Sequence, residues 1–121
     1  MPESARERTP LAALQSQPGI DLRRLRPDTY LLVEAGPYIY EIAPINPADG
    51  LVAIASSHPR LRVATVGQYL NGIYALDESL RLPDRIGKDL RMQLRFRNGV
   101  FLSAPVVSAR VVGKGWHFDV F

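Results

Sequence analysis

The chain contains no cysteine, which removes disulfides, zinc-thiolate centres and thiol chemistry together and fits a reducing compartment. No apolar run approaches the roughly 20 residues that a membrane helix needs, and the opening MPESARERTP holds no apolar signal-peptide core. The expectation is a cytoplasmic protein with no membrane partner. Histidine is scarce: His58 and His117 stand apart, and no motif such as His-Glu-x-x-His occurs, so no metal ligand is assigned. The glycines at 67, 72, 87, 99, 113 and 115 form neither a Walker pattern nor a Gly-x-Gly-x-x-Gly ahead of a helix. No cofactor is expected. Lysine is nearly missing as well, since Lys88 and Lys114 are the only two among 15 basic residues.

What remains is an ordinary globular composition, 46% hydrophobic and 22% charged over 121 residues, enough for one hydrophobic core. The net charge of +3 is modest but uneven. Residues 60–121 carry ten Lys or Arg against five Asp or Glu, and residues 1–59 carry five against seven. Arginine suits bidentate recognition of anions better than lysine does, so the basic half can attract phosphates or an anionic surface, but genomic base composition explains thirteen Arg against two Lys more simply.

The clearest pattern lies in the last third. Leu90, Met92, Leu94 and Phe96 alternate with Arg91, Gln93, Arg95 and Arg97, the period of a half-buried strand. Asn98-Gly99 suits a type I′ turn, which predicts Arg97 opposite Val100 and Phe96 opposite Phe101. The inward face then continues through Phe101, Ser103, Pro105, Val107, Ala109 and Val111. Gly113-Lys114 fits a type II′ turn into a third strand that carries Trp116, Phe118 and Val120 inward. A strand of about 13 residues is long for the usual 5 to 6, and Pro105, lacking a ladder donor, marks where it bends.

Upstream, residues 1–28 read as an arm: Thr9-Pro10 opens a helix over Leu11–Gln17, Pro18-Gly19 ends it, and a further turn follows Asp21. From Thr29 short strands succeed one another: Tyr30–Glu34, the turn Gly36-Pro37, Tyr38–Ile42, a loop over Pro44–Gly50, a central strand Leu51–Ala55 and another over Leu61–Val66. Gly67–Gly72 suits a helical turn or a hairpin bend, Ile73–Leu76 is extended, and Leu80–Lys88 is a broken connection. The expected fold is all-β and mainly antiparallel, a small closed or partly open β-barrel over residues 29–121, preceded by a short helical arm over 1–28.

No catalytic residue is assigned. Ser108 falls opposite Asp119 and Arg110 opposite His117, but His117 and Asp119 lie parallel on one strand and no strained nucleophile turn is present, so cross-strand polar pairing explains them. Residues 70–121 resemble a PilZ domain in the order of their strands alone. The family's Arg-x-x-x-Arg pair and Asp/Asn-x-Ser-x-x-Gly element are missing, with Gly67–Gly72 in that place lacking both Asp and Ser, and no ligand is carried over. The outward face of the last strands carries the candidate sites. Arg91, Arg95, Arg97, Arg110 and His117 form a basic patch able to bind an anion, nucleotide or RNA, while Val100, Leu102 and Val106 make the same face too apolar to be wholly solvated. Tyr38 and Tyr40 offer stacking surfaces for bases, but a core or interface role is the first reading of them. Two functions follow: a protein-interaction or self-associating assembly module, or an anion binder, with enzyme activity third.

Overall fold

The structure, a computed structural model, describes residues 19–26 and 28–113. Within them lie nine strands: β1 (Ile20–Asp21), β2 (Tyr30–Ala35), β3 (Tyr38–Asn46), β4 (Leu51–Ser56), β5 (Thr65–Tyr74), β6 (Arg81–Pro83), β7 (Arg85–Ile86), β8 (Leu90–Phe96) and β9 (Gly99–Val112). Every pairing is antiparallel. The order β2-β3-β4-β5-β8-β9 returns to β2, so six strands close a ring, with β6 added to the second half of β5. None of the described helical pieces exceeds a three-residue 3₁₀ turn. No helix among the described residues is long and apolar enough to cross a membrane.

Alternation fills the ring. Leu31, Val33 and Ala35 of β2, Tyr40 and Ile42 of β3, Val52 and Ile54 of β4, and Met92, Leu94 and Phe96 of β8 all enter one buried cluster. The expected central strand is β4, buried on both faces from Val52 to Ser56. Burial pushes the Tyr40 hydroxyl up to about 12, so the phenol stays neutral in the core.

The helix expected over 11–17 and the strand expected over 115–121 lie outside the described residues. The end of the supposed helical arm is not a helix. Ile20 pairs with Ile86 and Asp21 with Arg85, the Leu22 N–H donates to the Asp84 carbonyl at 2.8 Å, and Leu22 is buried in the core. The turn after Asp21 is a 3₁₀ turn, Leu22–Arg24, with the Asp21 carboxylate accepting the Arg23 N–H at 3.0 Å.

The β8–β9 hairpin keeps its expected faces and slips in register. Phe96 pairs with Gly99, Arg95 with Val100 and Leu94 with Phe101, so Arg97-Asn98 make the connection and Gly99 takes a φ of 142°. Each partner moves by two positions, which preserves the side on which every residue points.

Farther along β9 the faces change, because the strand carries two bulges. Gln93 faces Leu102 but Arg91 faces Pro105, and Glu34 of β2 faces Ser108 but Ala35 faces Val106. Each jump inserts one residue into β9 and reverses the alternation. Val106 therefore sits in the core at 2% exposure and Val107 projects outward at 59%, the opposite of the strict alternation. Val106 does not belong to an outer surface. The second bulge restores the phase, and Ala109 packs on the core again.

Gly67 to Gly72 forms neither helix nor bend; it is the middle of β5. The glycines serve close approach. A Cβ on Gly67 would lie 2.5 Å from Cε1 of Phe96, and one on Gly72 would lie 2.6 Å from the Arg85 carbonyl oxygen. Between them Tyr69 points inward and its hydroxyl donates to that Arg85 carbonyl at 2.6 Å. The loop expected over Pro44–Gly50 is shorter than expected, since β3 runs on to Asn46 with a register shift between Pro44 and Asn46, and a 3₁₀ turn begins at Pro47. The strand expected over Leu61–Val66 starts late for a similar reason: Pro59–Leu61 is a 3₁₀ turn and β5 begins at Thr65.

Two substitutions test the bulges by chemical denaturation. Val106→Asp is expected to cost about 3 kcal/mol or more, and Val107→Asp less than about 0.5 kcal/mol, the reverse of what unbroken alternation requires. Ser103→Ala, which leaves the Met92 N–H without the hydroxyl acceptor it has at 2.8 Å, is expected to cost about 1–3 kcal/mol.

Candidate functional site

The outer face of β8 runs Arg91, Gln93, Arg95. The β5 side supplies Ile73, Asn71 and Gln68 as their partners, and the β9 side supplies Pro105, Leu102 and Val100. Arg91 is held against this surface: its Nη1 donates to the Ser103 carbonyl at 3.5 Å, while Ile73, between Arg81 and Arg91 on the outer face, is only 4% exposed. The Arg91 guanidinium is itself drawn in, its Nε buried without a hydrogen-bond partner among the described residues. Arg95 stands free between Gln68 and Val100, and Arg97 projects from the turn. Among the described residues none of Arg91, Arg95, Arg97 and Arg110 has a carboxylate at ion-pairing distance.

Only part of the expected basic patch comes together. Arg110 pairs with Leu32 of β2, five positions beyond Pro105, so it lies roughly 15 Å along the strand from Arg91. His117 lies outside the described residues. Of the three apolar residues expected on this face, Val100 and Leu102 are there, 51% and 48% exposed, and Val106 is in the core. Val66, two residues before Arg95's partner Gln68 on β5, adds a third half-exposed apolar side chain. The Ser108 hydroxyl donates to Glu34 Oε1 at 3.2 Å, and the Asp119 expected opposite it lies outside the described residues. No group of three or more His, Asp or Glu that could hold a metal occurs among the described residues.

One cluster escapes the sequence altogether. At the end of the ring, the His58 ring stands edge-on to Tyr38 at 4.6 Å and to Phe101 at 5.0 Å. Its Nδ1 accepts the Arg60 N–H at 3.1 Å, capping the 3₁₀ turn, and the Arg60 guanidinium carbon lies 5.6 Å from the centre of the Phe101 ring. Ser56 fixes the approach, since its hydroxyl donates to the Ile39 carbonyl at 2.7 Å and accepts the His58 N–H at 2.9 Å. The Ser-Ser-His-Pro-Arg run signals a connection, but only the long-range partners Tyr38 and Phe101 give it rings to pack against.

Burial, then the Arg60 charge, holds the His58 imidazole below its ordinary 6.5. The unfolded chain then takes up a proton before the folded one, so stability falls as pH drops from 6.5 through the lower folded value and levels off beneath it. Thermal midpoints measured between pH 7.5 and 5.5 are expected to show this slope, and His58→Asn, which can still cap the turn but does not titrate, is expected to remove it. Comparison of this chain with known protein families, with curated proteins and with solved structures gave no match.

Proposed function

We propose that the six-strand ring is a small β-barrel acting as a non-enzymatic protein-interaction module, which docks a second copy of itself or another protein across the outer face of β8 and β9. One observation carries this: Val100 and Leu102 on β9, and Val66 two residues before Arg95's partner Gln68 on β5, expose apolar surface on the face that holds Arg95, which has no carboxylate at ion-pairing distance among the described residues. An apolar centre with arginine at its margin is the composition of protein interfaces, because arginine can lie flat on apolar surface and still satisfy its donors at the rim. A two-fold axis near Leu102 would set apolar on apolar and turn Arg95 and Arg97 to the edge.

The same arginines support a second reading, binding of an anion, nucleotide or RNA through Arg91, Arg95 and Arg97, with Arg110 too far along β9 to join them. The two differ in their response to salt, because phosphate contacts release counterions and weaken steeply while apolar contacts hold.

Light scattering behind a sizing column, at low and at high salt, tests both. A dimer or larger species that persists at high salt, and whose dissociation constant rises about tenfold or more in Leu102→Glu (~1.4 kcal/mol), is the expected result. A monomer at both salts overturns self-association. A monomer that retains single-stranded RNA at low salt, and loses it in the Arg95→Ala, Arg97→Ala double variant, moves the anion reading ahead.

A further inference from the structure

The ring leaves one stretch of strand edge without a described partner. β9 pairs with β8 as far as Pro105 and with β2 from Val106 to Val112, and beyond Pro105 the Val106 carbonyl still accepts the Asp89 N–H at 2.9 Å. From Val107 to Val112 no described strand lies on the side away from β2, so the backbone groups that point there have no ladder to join among the described residues. A cleft of about 360 Å³ opens beside this edge, with Ser108 and Ala109 on one side and Ile20, Ile86 and Gly87 on the other. Ile20 and Ala109 are only partly buried and back onto the core cluster, which gives the cleft an apolar wall that is still open. Val111 shares the inward face with Ala109, yet it is 48% exposed.

We propose that this open edge is a docking site for the chain's own residues 115–119, which add to β9 as an antiparallel strand and seat Phe118 in the cleft. β9 ends at Val112 and runs directly into Gly113-Lys114, a pair that suits a type II′ turn, and a two-residue loop sends the residues after it back along the open side of the strand. That loop fixes the register: Trp116 falls opposite Val111, His117 opposite Arg110, Phe118 opposite Ala109 and Asp119 opposite Ser108. Three properties of the edge match those residue types. The apolar wall at Ala109 and Ile20 receives the Phe118 ring, and the half-exposed Val111 gains cover from Trp116. Arg110, exposed and with no carboxylate at ion-pairing distance among the described residues, has Asp119 on its diagonal, within reach of a long side chain. The match stops at Val107, the extra residue of the second bulge, where a regular ladder breaks. A segment tethered two residues away also outcompetes the same strand from another molecule, because its effective concentration is high. This edge is separate from the outer face of β8 and β9 and does not depend on the interaction reading.

Trp116 is the single tryptophan of the chain, so its fluorescence tests the docking directly. In the whole chain its emission maximum is expected to lie to the blue of that of the chain unfolded in guanidinium. The β9 amides that face away from β2 are expected to exchange with solvent about tenfold or more slower in the whole chain than in Phe118→Asp. That variant is expected to shift the Trp116 emission to the red while the amides of Met92 and Leu94, in the core of the ring, stay protected. His117→Asp, on the outer face in this register, is expected to leave both signals in place, and so is Leu102→Glu at every dilution. The proposal falls if the native emission matches that of the unfolded chain, if the edge amides exchange as fast in the whole chain as in Phe118→Asp, or if His117→Asp disturbs them as strongly. Protection that fades on dilution also overturns it, by assigning the strand to a second copy.

Discussion

When a buried ladder gains an extra residue, one N–H loses the carbonyl it would have met, and water cannot replace it. In this chain that donor is Met92 N–H, and the Ser103 hydroxyl accepts it at 2.8 Å while giving its own proton to the Ala104 carbonyl at 2.7 Å. A serine at 2% exposure is thus fully bonded, and the bulge becomes affordable in the middle of a core. Much depends on it. The shift falls where β9 changes partner, pairing with β8 up to Pro105 and with β2 from Val106 on, the exchange that joins the two ends of the ring around Leu31, Val33 and Phe101.

A second constraint acts where β5 meets β8. The large inward rings at Phe96 and Tyr69 need room inside a narrow ring of strands, and Gly67 and Gly72 provide it by bringing bare backbone against Phe96 and the Arg85 carbonyl. Burial raises the Tyr69 hydroxyl, so it remains a donor and ties β5 to β7. Small residue against large is how a tapering interior fills without voids. The outer surface inherits its order from this packing, since the register that buries Leu94 and Met92 is the same one that lines Arg91, Gln93 and Arg95 between two flanking strands.

Legibility followed the range of the information. Local signals worked: the alternation of Leu90 to Phe96 appears as β8, Gly36-Pro37 as a turn, and the apolar run from Leu51 as a strand buried on both sides. Signals whose meaning depends on a distant partner did not. A glycine marks either a turn or a close approach, and at position 67 the deciding atom belongs to Phe96, some thirty residues away. The serine at 103 looks like any polar residue among valines until Met92 is set opposite, and from that point the alternation reads the wrong valine as buried. The arginines show the same limit. Those on β8 keep their shared face, because one strand carries them, whereas Arg110 is separated from them by a long strand whose two bulges and change of partner the sequence does not announce.

The short strand β6 has an effect beyond its three residues. It covers the edge of β5 at Asn71, Gly72 and Ile73, and it is itself the last strand of the sheet on that side. An open edge is a template on which a strand from another molecule can polymerise. Here that template is cut to Arg81, Leu82 and Pro83, with a charge at one end and, at the other, a residue that has no N–H to offer. A neighbouring chain finds almost nothing to hydrogen-bond along this margin, so growth of the sheet from molecule to molecule is blocked there by sequence chemistry rather than by bulk.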